Sequence, residues 1–319
     1  MERLKGFEKL SLVLLTSAAL SFAQMTSTQY PPNYPNNASQ PPAANQQMAQ
    51  PGTVNYVEGQ VSINNQPLGP RGSAILQSGN TISTGNGFVE VLLTPGAFLR
   101  VGPNSEIRLD NAGLANTQIQ LSRGTANIEV DQLIDGTHLS LIINGATAQI
   151  EKKGLYDFNA DQQSIKVFDG KVNVTSTVGS KSIGKGDSLL LASDKPSKVH
   201  GFDVKAEKAQ PLYVWSEARS RDESQANVAM AQSVAANGGW YGAGWYWDPY
   251  WSSYAFLPGT GFLYSPFGWG FYSPAFIGYY GVPFGYGRWG GYGVSHGYVG
   301  GFGAARVGGG FHGGGGGRR

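Results

Sequence analysis

The sequence predicts an all-β domain over residues 53–205, built as a sandwich, roll or solenoid, followed by one helix and a low-complexity tail. Three observations carry this. Short runs that alternate apolar and polar residues fill residues 53–205, with turn residues between them at intervals of roughly ten. No long segment of period 3.6 interrupts them, which argues against parallel βαβ units. At residue 238 the composition then changes abruptly. The last 82 residues hold 27 Gly, 25 Phe, Trp or Tyr, and six of the seven Trp.

Residues 1–23 read as a secretory signal. Arg3, Lys5 and Lys9 make a basic start, Leu10 to Leu20 is an apolar run, and Ser21-Phe22-Ala23 places small residues three and one before Gln24. An uncleaved anchor is the competing reading, but the apolar run is shorter than the ~20 residues of a spanning helix. Removing this segment deletes three basic and two acidic residues from a chain of net charge +2 and leaves +1. Such a near-neutral chain offers no electrostatic footprint for nucleic acid.

Residues 24–52 form a Pro-, Asn- and Gln-rich linker with six Pro and no charged residue. It has too little apolar surface to fold alone and suits an extended spacer.

Within the β domain, Phe88 to Leu93 and Phe98 to Val101 read as two strands joined at Pro95-Gly96, with Gly102-Pro103-Asn104 closing the second. Proline fixes the first turn position, and glycine supplies positive φ at the next. By period two, Ile82, Val89, Val91, Leu93, Leu99, Val101, Ile107 and Leu109 face the core. Leu139 to Ile143 is more continuously apolar, as for a strand buried on both faces.

Residues 206–237 are the helical segment. Pro211 lies near its start, and Asn237-Gly238-Gly239 stops it. Trp215, Ala218, Ala226, Ala229 and Met230 make a weak apolar stripe, while Glu217, Arg219, Arg221, Asp222 and Glu223 are read as the solvated face. Residues 238–319 are the Gly- and aromatic-rich tail. Gly and Pro break each of its apolar runs, so no membrane helix fits.

The run from Gly79 through Thr84-Gly85, Phe88 to Leu93, Pro95-Gly96, Phe98 to Val101 and Asn104-Ser105 to Ile107 resembles the central motif of FecR-type extracytoplasmic domains. Gly124-Thr125-Ala126 and Val167-Phe168-Asp169-Gly170-Lys171-Val172 match recurring strands of that family. The resemblance covers about residues 54–192. It implies a FecR-like β domain and a place in a bacterial envelope. Typical members relay a signal from an outer-membrane receptor to a cytoplasmic sigma factor. This chain lacks their cytoplasmic helical domain and internal transmembrane segment, so it resembles the sensing or scaffold half without the relay.

The residues point away from bond chemistry. There is no Cys, hence no disulfide and no thiol nucleophile. His138, His200, His296 and His312 show no metal-ligand spacing. Neither a phosphate loop nor paired carboxylates can be identified, so catalytic, cofactor and metal residues are all expected to be absent. The aromatics are the one functional constellation. Trp240, Tyr241, Trp245, Tyr246, Trp247, Tyr250 and Trp251 are the candidate interaction residues. Such rings stack on sugars or on partner aromatics, or pack back on their own domain. The expected function is non-enzymatic binding of an envelope protein or polysaccharide by an exported protein of the periplasm, cell surface or medium, as in envelope sensing. The alternative is a structural or adhesive surface protein that acts, and self-associates, through its tail.

Overall fold

The computed structural model describes residues 49–69, 74–191, 198–249 and 251–281. The signal segment, nearly all of the linker, residues 282–319 of the tail and Tyr250 lie outside the described residues.

Seventeen strands precede the helices. They are β1 (Val54–Glu58), β2 (Val61–Ile63), β3 (Gln66–Pro67), β4 (Thr81–Thr84), β5 (Phe88–Leu92), β6 (Ala97–Val101), β7 (Glu106–Gly113), β8 (Asn116–Arg123), β9 (Thr125–Val130), β10 (His138–Ile143), β11 (Ala146–Ile150), β12 (Gly154–Asn159), β13 (Ser164–Asp169), β14 (Lys171–Ser176), β15 (Gly179–Gly184), β16 (Asp187–Leu190) and β17 (Val199–Gly201). They form two sheets, ordered β1-β5-β6-β9-β12-β13-β16-β17 and β15-β14-β11-β10-β8-β7-β4-β2-β3. From β4 onward the chain crosses between the sheets after each hairpin. β9 crosses as a single strand, which leaves β8 and β10 parallel, whereas the hairpin strands pair antiparallel. The domain is thus an all-β roll of two facing sheets.

The alternation read from the sequence sets the core. Ile82, Val89, Val91, Leu93, Leu99, Val101, Ile107 and Leu109 are all buried between the sheets. The turn at Pro95-Gly96 forms as expected. Gly96 has φ +83°, and the Ala97 N–H donates to Thr94 O at 2.8 Å. At Gly124, φ +78°, an added Cβ would lie 2.1 Å from Ser105 Oγ, which accepts the Thr125 N–H at 2.8 Å. Glycine there lets one turn close against another.

The two sheets differ on their outer faces. β8 alternates buried and exposed positions, as a half-solvated strand does. All five residues of β6, and the last four of β5 and five of β9, are buried. Something therefore covers the outer face of the eight-stranded sheet, and the rest of the chain supplies it.

The chain continues through α1 (Val204–Lys208), whose first N–H groups are capped by Asp203 Oδ1, into α2 (Pro211–Asn237). Gly238 ends α2 with φ +79° and donates its N–H to Val234 O. Next come the hairpin β18 (Gly244–Asp248) and β19 (Ser253–Leu257), the hairpin β20 (Phe262–Tyr264) and β21 (Gly270–Tyr272), and α3 (Pro274–Tyr280). The tail composition thus divides. Residues 244–280 fold into two hairpins and a short helix on α2 and the sheet, and we call α2 with this segment the cap. Among the described residues, no helix is long and apolar enough to cross a membrane.

Candidate interaction surface

The cap docks through a polar network flanked by apolar contacts, Leu92 and Phe98 with Trp245, and Leu155 with Tyr213. α2 buries Ser216, Arg219, Ser220, Glu223, Ser224 and Asn227, a polar stripe at helical spacing, with Leu212 and Tyr213 buried before it and Val228, Met230, Ala231 and Val234 after it. The residues taken from the sequence as its solvated face therefore include two that the fold buries, Arg219 and Glu223. The reason is their partners. The outer face of the sheet carries Glu90 on β5, Arg100 on β6 and Glu129 on β9, all 0% exposed. Arg100 Nε donates to Glu90 Oε2 at 2.8 Å, and its Nη1 donates to Glu129 Oε2. Arg219 Nη2 donates to Glu90 Oε1 at 3.0 Å and to Glu223 Oε1 at 2.6 Å, and its guanidinium lies 4.1 Å from the centre of the Tyr56 ring. Ser220 Oγ donates to Glu129 Oε1 at 2.6 Å.

The same stripe holds the hairpins. Asn227 Nδ2 donates to Phe256 O (2.7 Å), and its Oδ1 accepts the Tyr272 N–H (2.8 Å). Ser224 Oγ donates to Gly270 O at 2.6 Å, and Asn55 on β1 accepts the Tyr254 N–H at 2.8 Å. Buried charges persist only when paired and hydrogen-bonded, and each of these groups is paired, with Arg100 Nη2, Arg219 Nε and Glu223 Oε2 left without a partner among the described residues. Burial alone would raise the Glu90 carboxyl, but the Arg219 and Arg100 guanidiniums outweigh it and hold the group at about 2. The stability it lends is present above the ordinary carboxylate range and is lost as pH falls toward 2.

Asp157 on β12 behaves in the opposite way. Burial pushes it up to about 7, against the pull of Lys166, which is itself paired with Glu207 at 2.8 Å. Asn127 is satisfied when its Nδ2 donates to Asp157 Oδ2 (2.9 Å) and its Oδ1 accepts from Ser216 Oγ (3.2 Å). A raised folded value means that the carboxyl favours the fold below about pH 4, and that this advantage is lost up to about pH 7. Asp157→Asn is therefore expected to gain stability relative to the parent across that window, at about 1.4 kcal/mol per pH unit. Urea unfolding of both proteins at several pH values checks this, and parallel curves would count against it.

The candidate aromatics separate into two groups. Trp245 and Tyr246 are each 2% exposed. Trp245 packs with Leu92, Phe98, Phe256 and Phe271, its ring edge-on to Phe98 at 4.9 Å. Tyr246 joins the cluster of Ala226, Met230, Ala231, Val234, Leu257 and Ile277, and its hydroxyl donates to Gly242 O. Trp240 is half-buried against that cluster. Tyr241 is 74% exposed, Trp251 47% and Trp247 37%. Trp247 is braced edge-on by Tyr254 at 5.1 Å, and the Trp251 N–H donates to Asp248 Oδ1.

Sequence reasoning did not single out a further exposed set, Phe262, Tyr264, Tyr279 and Tyr280. Phe262 contacts Tyr264, Tyr272 and Phe276, while Phe276 contacts Tyr280. The Ser273-Pro274 helix start and the four-residue step from Phe276 to Tyr280 were the available signal. The cap thus presents exposed rings, several of them in contact with neighbouring rings. No group of three or more His, Asp or Glu able to share a metal ion occurs among the described residues.

Residues 80–173 match the family described as FecR protein. No curated protein matches the chain. Two solved structures of a proposed anti-sigma factor from Parabacteroides distasonis are similar to it, each at 15% identity and TM-score 0.36. The match covers 40% of this chain and 62% and 63% of theirs, so the chain spans less than two thirds of those proteins.

Proposed function

We propose, from the premise that residues 80–173 form a FecR domain, that this chain is a non-enzymatic envelope protein that binds a protein or polysaccharide partner through the exposed aromatic face of its cap. One observation supports this above others. Tyr241, Trp247 and Trp251 stay exposed although neighbouring rings of the same segment are buried, so the fold spends hydrophobic area on the surface. The basic, apolar and Ser21-Phe22-Ala23 pattern at the start supports export. The adhesive alternative draws on the further Gly- and aromatic-rich residues 282–319.

The test compares the full chain with Tyr241→Ala/Trp247→Ala/Trp251→Ala in capture from envelope extracts and in sedimentation with envelope polysaccharide. Aromatic anchors usually carry most of the contact energy. Binding is expected to weaken ten-fold or more, about 1.4 kcal/mol, with an unchanged melting temperature. Undiminished binding would remove this face from the function. Loss of self-association alone would favour adhesion.

A further inference from the structure

The buried network between cap and sheet does not balance if all its acids are ionised. Two guanidiniums, Arg100 and Arg219, face four carboxyls: Glu90 on β5, Glu129 and Asp131 on β9, and Glu223 on α2. Neutrality requires two of the four to hold protons, because an uncompensated buried charge is costly.

Geometry selects which two. Glu90 receives Arg100, Arg219 and Asn55, and Glu129 receives Arg100 and Ser220. Glu223 Oε2 and both oxygens of Asp131 are buried and have no donor. Once protonated, Glu223 can donate to the neighbouring Glu90 and Asp131 to Glu129, whereas ionisation sets like charges side by side with no donor between them. Burial, with Glu90 beside Glu223 and Glu129 beside Asp131, moves both acids well above their ordinary range. The other charged or titratable groups facing the sheet side of α2 are Lys153 near Asp131, Asp222 at 3.8 Å from Arg219, Tyr56 under the Arg219 guanidinium, and Asp157, which reaches Ser216 through Asn127 and has Lys166 and Glu207 beside it.

Of the two acids, Glu223 alone belongs to the cap. We propose that Glu223 is a protonation-dependent latch: protonated, it holds α2 and the aromatic cap on the FecR sheet, and its ionisation as pH rises releases them. The α2 residues set against the charged part of the sheet are polar, so the charge state of Glu223 acts directly on this contact, while apolar contacts at Leu92 and Phe98 with Trp245 and at Leu155 with Tyr213 oppose separation. Through Glu223 the docked state binds one more proton than the open state. Docking is therefore complete below the ordinary glutamate range and weakens as pH rises toward the docked value, by about ten-fold per pH unit. Release would expose Glu90, Arg100 and Glu129 as a charged face and would dismantle the support of the exposed rings. Envelope pH would thereby set how the chain binds.

Hydrogen exchange of the full chain from about pH 6 to about pH 9, corrected for intrinsic exchange, tests this. Amide protection across 211–237 is expected to fall about ten-fold per pH unit, while β10 and β11 stay protected. Glu223→Gln, a neutral isostere, should dock at pH 6 and lose the pH dependence above about pH 7, beyond the range of Asp157, whereas Glu151→Gln on the surface should behave as the parent. A flat parent profile would overturn the latch. So would a Glu223→Gln profile that falls like the parent's, a variant that fails to dock at pH 6, or simultaneous loss of protection in β10 and β11.

Discussion

Arg100→Met is expected to destabilise the chain by about 3–5 kcal/mol, the cost of removing one partner from a buried ionic network. Arg100 is 0% exposed and is the one cation that contacts both Glu90 and Glu129. Methionine fills much of the same volume, so cavity formation contributes little. The penalty comes from carboxylates left in a medium that cannot solvate them. Two consequences separate this from a packing defect. The unfolding midpoint should recover partly at mildly acidic pH, where the orphaned carboxylates take up protons. Adding Glu129→Gln should also restore part of the loss, giving non-additive energies in a double-mutant cycle. Additive losses with no pH dependence would assign Arg100 to packing alone.

Trp245→Ala is expected to cost a similar amount, about 3–5 kcal/mol, by the mechanism of a large buried aromatic truncated to a methyl group. Its ring touches both layers, Phe98 of the eight-stranded sheet and Phe256 of the cap at 5.5 Å, so the cavity would open at the junction. Its indole N–H has no partner, so truncation forfeits no hydrogen bond and the loss is one of packing. Trp247→Ala, two residues along the same strand, should change stability by less than about 1 kcal/mol, since its ring lies at the surface. Urea unfolding of the two variants side by side reads the difference.

The contrast between these tryptophans shows what the sequence could and could not reveal. Period-two alternation located the core positions of β4 to β7, because there one face meets apolar side chains and the other meets water or polar groups. The Pro95-Gly96 turn was legible because its chemistry is local. In Trp245-Tyr246-Trp247, by contrast, both faces of the strand are covered over part of its length, so alternation alone does not tell an anchor from a surface ring. The docking face of α2 was hidden for a different reason. Periodicity finds burial by looking for apolar residues, and Ser216, Arg219, Ser220, Glu223, Ser224 and Asn227 look like solvated helix surface until their partners are known. Those partners, Glu90, Arg100 and Glu129, lie roughly 90–130 residues away in sequence and look equally solvent-facing on their own strands.

The aromatic segment and α2 form a folded cap continuous with the eight-stranded sheet. The sequence supplies a clean reporter, because none of the seven Trp falls in residues 53–205. Tryptophan fluorescence therefore follows α2 and the aromatic segment, and far-ultraviolet circular dichroism follows the whole backbone, the strands of the β roll together with α2. Thermal unfolding of the full chain at about pH 6, recorded by both probes, should give one coincident cooperative transition. A tryptophan transition well below the circular dichroism midpoint, or no tryptophan transition at all, would contradict a cap built into the fold.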